Sequence, residues 1–131
     1  MRVSDNGSGM SEEDAKKSII RHGTSKISSI EDIFSITSLG FRGEAVPSIA
    51  AVSELVMTTR MNDTDLAFRM VLSGGSVKEE EHTGASVGTT MEVRNLFFNT
   101  PARKKFMKSE RTESSKISDI ITKLALTRPD V

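Results

Sequence analysis

The chain has 131 residues, enough for one domain or part of one, and its 36% hydrophobic and 27% charged content is ordinary for a globular protein. Eighteen basic side chains balance eighteen acidic ones, so no global field draws the chain to nucleic acid or membrane, and any such surface has to be local. No cysteine is present, which excludes a disulfide framework and a thiolate zinc site; no apolar run approaches a membrane span and no signal-peptide pattern opens the chain, so a cytoplasmic protein is expected.

Met1 to Ser4 reads as the end of a strand that runs into a glycine loop, Asp5-Asn6-Gly7-Ser8-Gly9-Met10. Ser11 then suits the N-cap of a helix, with Asp14 three residues on as a weak capping box. Glu12, Glu13 and Asp14 crowd the start of that helix and Lys16, Lys17 and Arg21 its end, both favourable to the macrodipole, and Gly23 suits its stop. A polar stretch from His22 to Lys26, with Ser28 and Ser29, suits a mobile loop over a ligand; a short helix after Ser29 would carry Ile30, Ile33 and Phe34. A further helix is expected from Glu44 to Val52, with Pro47 in its first turn, where a missing N–H costs little.

The middle of the chain is β-rich. Leu66, Phe68, Met70 and Leu72 alternate with Ala67, Arg69, Val71 and Ser73, the period of a half-buried strand. Glu54 to Arg60 is its expected neighbour, joined through Asn62-Asp63-Thr64-Asp65. Gly74-Gly75 signals a hairpin, Glu79-Glu80-Glu81 a solvated loop or strand edge, and Thr89 to Arg94 another strand with Met91 and Val93 inward. Thr100-Pro101 opens a helix, threonine as N-cap and proline at the first helical position. The final helix carries an apolar stripe, Ile117, Ile120, Ile121 and Leu124, and stops before Pro129. The expected class is α+β: a mostly antiparallel sheet with helices packed on one face.

Several segments carry chemistry. Asp5 is acceptor-only when ionised and suits the exocyclic amino group of adenine, with Gly7 and Gly9 letting backbone pass close to the base; an Asx-type turn explains the same residues without a ligand. Gly40-Phe41-Arg42-Gly43-Glu44-Ala45-Val46 places glycines before a helix start, where free amides attract phosphate, yet no Gly-Lys-Ser/Thr follows and a P-loop is disfavoured. Arg42 could add charge to a phosphate or pair with an acid. Glu44 could serve as a base, but a place in the first helical turn accounts for it through the dipole, and that plainer role is preferred. Thr24-Ser25-Lys26 offers two hydroxyls and an ammonium in an exposed stretch. Thr89 could reach a base through water, or be only a β-branched strand residue. His22 and His82 lack companions at metal-ligand spacing, so no metal ligand is assigned to the chain. Phe97 and Phe98 are expected in the core and Asn99 in a turn. Arg103, Lys104, Lys105, Lys108 and Arg111 form the one dense basic cluster, a candidate DNA-backbone contact or simply a solvated helix face.

Three blocks in fixed order, Asp5 to Met10, Gly40 to Val46, and Gly88-Thr89-Thr90 through Phe97-Phe98-Asn99-Thr100-Pro101-Ala102-Arg103, resemble the ATP-binding domain of the MutL family of DNA mismatch-repair proteins. That family belongs to the superfamily of gyrase, the ninety-kilodalton heat-shock chaperone and histidine kinases, whose ATP-binding fold is of the Bergerat type. The resemblance implies that Asp5 contacts adenine, that Thr89 meets the base through water, that Thr24, Ser25 and Lys26 belong to a lid over ATP, and that Gly40, Arg42, Gly43, Glu44, Ala45 and Val46 serve its phosphate side. It covers Val3 to Val131 but only the middle of the family's domain. Members add an upstream helix whose glutamate activates water and whose asparagine holds Mg2+, and a following domain whose lysine reaches the γ-phosphate. Residues 1–131 are therefore expected to be a partial domain with no catalytic residue of its own. The resemblance further implies ATP-driven ordering and dimerisation, as a homodimer or a MutL-type heterodimer, non-specific DNA contact, and a mismatch-recognition partner of the MutS type. It implies a nucleoid-associated place in a bacterium or a nuclear one in a eukaryote. The alternatives are a nucleotide-free DNA-binding or interaction module, and another branch of the same ATPase superfamily.

Overall fold

A computed structural model describes residues 1–20 and 43–127. The expectations for Arg21, Gly23, the Thr24-Ser25-Lys26 stretch, the helix after Ser29, and Gly40 to Arg42 lie outside these residues, as does Pro129. By spatial clustering the chain forms two compact units, Met1–Asn99 and Thr100–Val131.

The first unit is built on five antiparallel strands: β1 (Arg2–Ser4), β2 (Glu54–Arg60), β3 (Ala67–Ser73), β4 (Ser76–Thr83) and β5 (Gly88–Arg94), in the order β1-β5-β2-β3-β4. Strand alternation sends every second residue to one face, and the register lines these residues up in rungs. Val93, Leu55 and Leu72 form one, Met91, Met57 and Met70 the next, and Thr89, Thr59 and Phe68 a third. Leu55, Met57, Phe68, Met70 and Leu72 are buried with Ala15 and Ala50, which come from the helices α1 (Glu12–Ser18) and α2 (Ala45–Ala50). The core thus lies between one sheet face and these two helices. The opposite face carries charge, with Arg69 pairing Glu81 at 2.6 Å and Arg94 pairing Glu92.

Local chemistry accounts for the joints. Ser11 caps α1: its hydroxyl oxygen accepts from the Asp14 amide at 3.1 Å while the hydroxyl donates to the Asp14 carboxylate at 2.8 Å. α1 ends at Ser18, and the Ile20 amide turns back to the Lys17 carbonyl. Gly74 and Gly75, both at positive φ, make the two-residue hairpin between β3 and β4, a geometry that side chains resist. Glu79 to Glu81 lie in exposed β4, so of the two readings offered by sequence the strand edge holds. Lys16 ties α1 to this edge, reaching Glu12 at 2.8 Å and Glu80 at 2.9 Å over the Phe68 ring, and His82 lies 3.3 Å from Glu12. The Lys16 hydrogen bond, with His82 adding a smaller pull, holds the Glu12 carboxyl below its ordinary range.

Four expectations are corrected. α2 starts after Glu44 and stops at Ala50, shorter than Glu44 to Val52, with Pro47 in its first turn. Leu66 precedes β3 and is exposed, because the ladder begins only at Ala67. Phe97 and Phe98 are not core: Phe98 is 41% exposed and Phe97 half-buried. Asn95 and Phe97 both adopt positive φ, which swings the chain out of β5. Last, Thr100 precedes α3 (Pro101–Lys105) but makes no side-chain cap, and its buried hydroxyl has no partner among the described residues.

The second unit holds α3 and α4 (Glu110–Thr127). Within it Ile117, Ile120, Ile121 and Leu124 share the predicted helical stripe, and all four are exposed.

Candidate nucleotide site

The first glycine loop is fastened at both ends. The Asp5 amide donates to the Thr89 carbonyl at 2.9 Å, extending the β1–β5 pairing by one residue. The Asp5 carboxylate is used on one oxygen: Oδ1 accepts from the Gly7 amide at 2.9 Å and from the Thr89 amide at 3.1 Å. The first of these bonds is an Asx turn, so the plain structural reading of Asp-Asn-Gly is correct. It also leaves Oδ2 without a partner among the described residues. At the far end the Met10 amide donates to Thr59 Oγ1 at 2.8 Å.

Close packing explains two of the glycines. Gly9 has φ of +70°, and a Cβ there would overlap the Arg60 carbonyl. Gly88 has φ of +114°, and a Cβ there would overlap the Asp5 carbonyl. Both positions need a residue without a side chain, on conformation and on space. Gly7 has no positive φ; a Cβ would stand 3.1 Å from Asp5 Oδ1, against the oxygen that makes the turn.

Asp5 and Thr89 contribute the polar part of the lining of a cavity of about 280 Å3, otherwise walled by apolar side chains such as Val3, Val46, Ile49, Leu55 and Met91. An apolar slot with a few converging polar groups is the usual form of a small-molecule site, and this volume is near the lower end for such sites. Of the expected nucleotide residues, the structure brings Asp5, Thr89 and Val46 to this one cavity, while Gly7 and Gly9 lie in the loop that Asp5 opens and are not in its lining.

The second motif is seen in part. Gly43 has φ of +60° and leads into α2, which a glycine permits without strain. Glu44 is exposed at the N-cap and its side chain makes no cap bond, so it stands just before the first turn rather than in it. Ala45 is exposed on α2. Thr24, Ser25, Lys26, Gly40 and Arg42 lie outside the described residues.

Two features were not anticipated. Thr59, buried on the helix-facing rung beside Thr89, links the loop to β5; its signal was a polar residue at an inward register after Leu55 and Met57. The Phe-Phe-Asn segment is a fastening: the Asn99 side chain donates through Nδ2 to the Ala51 carbonyl at 2.9 Å, and the Phe97 backbone amide to the Val52 carbonyl at 2.6 Å. These bonds satisfy carbonyls at the end of α2, the helix that carries Val46.

Among the described residues no three His, Cys, Asp or Glu side chains lie together. No described helix is long and apolar enough to cross a membrane. In the second unit Arg103, Lys104 and Lys105 fall in α3, with Lys108 and Arg111 following. Three consecutive residues cannot share one helical face, so the cluster spreads around the helix rather than forming a stripe. Among the described residues none of the five side chains makes an ion pair, although the Lys108 backbone amide donates to the Glu113 carboxylate at 3.0 Å.

No family model matches the chain. Over all 131 residues it is 51% identical to the DNA mismatch repair protein MutL of Citrifermentans bemidjiense and 52% identical to that of Desulforamulus reducens, spanning about a fifth (20%) of the length of each. Among solved structures it resembles the Aquifex aeolicus MutL ATPase domain complexed with ADP, with a TM-score of 0.74 at 32% identity, covering 99% of this chain and 44% of that one. The likeness extends along the whole chain and takes in the five-stranded antiparallel sheet, so over its full length the chain is similar to part of the MutL proteins of DNA mismatch repair.

Proposed function

We propose that this chain forms the adenine-binding part of the ATP site of a mismatch-repair ATPase. The observation that carries the reading is the cavity at which Asp5 and Thr89 meet, with Asp5 Oδ1 committed to the backbone and Oδ2 left for a ligand. A carboxylate oxygen accepts hydrogen bonds only, so it selects the 6-amino group of adenine over the 6-carbonyl of guanine. Thr89 meets the base through its hydroxyl, and the apolar walls take the flat ring. The ADP bound to the Aquifex aeolicus domain supports the same ligand class here.

On this reading Gly40, Arg42 and Gly43 to Val46 serve the phosphate side, and Thr24, Ser25 and Lys26 act as a lid; both assignments rest on the family resemblance. Mg2+ takes its ligand from outside the described residues. In the whole protein ATP would order the lid and promote dimerisation with a second MutL-type subunit, and slow hydrolysis would reset it. A MutS-type protein would supply the mismatch signal, and Arg103, Lys104, Lys105 and Lys108 would hold the DNA backbone, in the cytoplasm of a bacterium like those of the relatives. The two other readings, a nucleotide-free DNA-binding module and another branch of the superfamily, are not favoured beside relatives that are MutL proteins throughout their matched length.

Titration calorimetry of the protein at its full encoded length, with ATP, ADP and GTP, tests the reading. Binding of ATP and ADP with weak or absent binding of GTP is the expected result. Equal affinity for ATP and GTP would remove Asp5 from the base site, and no binding of any of the three would overturn the reading.

A further inference from the structure

The inward-facing residues of β2 run Leu55, Met57, Thr59, and the third is a hydroxyl where the pattern calls for a hydrocarbon. Thr59 is 1% exposed, so its polar atom has to be satisfied within the protein. Three groups surround its Oγ1: the Met10 amide at 2.8 Å, Thr89 Oγ1 at 3.0 Å and the Gly88 carbonyl at 3.3 Å.

A hydroxyl has one proton and two lone pairs. The Met10 amide takes one lone pair, so the proton goes either to Thr89 or to Gly88. If it goes to Thr89, the proton of Thr89 is free to point into the cavity. If it goes to Gly88, Thr89 donates to Thr59 and turns lone pairs to the cavity. In either arrangement the Thr89 hydroxyl is tethered on its buried side, and what it offers a base is set by Thr59. The same oxygen fixes the amide that closes the Asp5 loop, and Gly9 of that loop lies against the carbonyl of Arg60, the next residue along β2. One buried oxygen therefore ties the far end of the Asp5 loop to the Thr89 hydroxyl.

We propose that Thr59 is a positioning residue for base recognition, holding Met10 and orienting Thr89 without touching the ligand; this rests on the nucleotide reading above. A valine keeps the shape and removes the oxygen, while a serine keeps the oxygen and sheds a methyl group.

The test measures ATP and GTP affinities by calorimetry, with thermal melts, for wild type, Thr59→Val, Thr59→Ala and Thr59→Ser at full encoded length. The expected result is that Val and Ala weaken ATP about tenfold, the scale of one lost buried hydrogen bond, and compress the ATP-to-GTP preference. Serine should keep both within about threefold. A role confined to stability would instead weaken both nucleotides in parallel, and that outcome would overturn the proposal. So would unchanged ATP affinity in either oxygen-free variant, or failure of both to fold while serine folds, since the hydroxyl would then serve the core alone. Wild type that binds neither nucleotide would instead sink the site reading beneath it, and this proposal with it.

Discussion

Asp5 and Thr89 hold each other twice: the Asp5 amide donates to the Thr89 carbonyl at 2.9 Å, and the Thr89 amide donates back to Asp5 Oδ1 at 3.1 Å. The second bond, with that from Gly7, orients the carboxylate before any ligand arrives, so little freedom is left to lose on binding.

This pairing separates the two jobs of Asp5. Asp5→Asn can keep a carbonyl oxygen in the Oδ1 place for the Gly7 and Thr89 amides, while turning an NH2 donor toward the amino group of adenine. We expect a thermal midpoint close to wild type but ATP binding weaker by about 1.5–3 kcal/mol, the range for a hydrogen bond to a charged group. Asp5→Ala should lose both, the turn and the ligand. Calorimetry beside a melt checks the split; an Asn variant that binds ATP as tightly as wild type would assign the carboxylate to the turn alone.

A similar separation applies to the glycines. Gly9→Ala and Gly88→Ala each force positive φ on a residue with a Cβ and press that atom into a backbone carbonyl that no rotamer change can move away. Each should cost about 2–3 kcal/mol of stability, well above a typical surface change. Gly84, with open space around its Cβ position and no positive φ, is the matched control and should lose far less on the same change. Chemical denaturation gives the comparison, and equal losses at Gly84 and Gly88 would contradict the packing described.

Much of this frame was legible in the sequence because its signals are local. Gly74-Gly75 needs only two residues to specify a hairpin, and Ser11 with Asp14 needs four to specify a cap. The alternation of Phe68, Met70 and Leu72 reported a buried face, but alternation says nothing of where a ladder begins, so Leu66 was misplaced. Thr59 was missed because a threonine in a strand is what propensity alone predicts; its meaning depends on Met10, 49 residues away. Phe97 and Phe98 were expected in the core on apolar identity. Their position is set instead by the positive-φ turn at Asn95 and Phe97, which no periodicity reveals.

The basic cluster makes a prediction about salt. Arg103, Lys104, Lys105 and Lys108 spread around α3 and its exit, so together they could meet a phosphate backbone only as a diffuse charge. Each phosphate neutralised contributes about one unit to the slope of log affinity against log salt. Changing Lys104, Lys105 and Lys108 to glutamate should therefore flatten that slope by about three units in DNA titrations of the full-length protein. A slope equal to wild type would make the cluster a solvated surface.

The last prediction concerns Glu44, an acid inside a nucleotide motif and so the obvious candidate for a catalytic base. Its position argues otherwise. Glu44 is the exposed N-cap of α2, and the residues of that helix that line the cavity, Val46 and Ile49, follow it. Glu44 itself does not line the cavity, and a general base has to lie within hydrogen-bond reach of the proton it removes. Loss of a general base typically costs about 100- to 10,000-fold in rate. Glu44→Gln keeps the shape and removes only the charge, so turnover in the full-length protein should fall by less than about tenfold, with ATP affinity little changed. Phosphate release under saturating ATP measures this, beside calorimetry to confirm that nucleotide is bound. A drop of a hundredfold or more with affinity intact would make Glu44 the base and overturn the structural role given to it here.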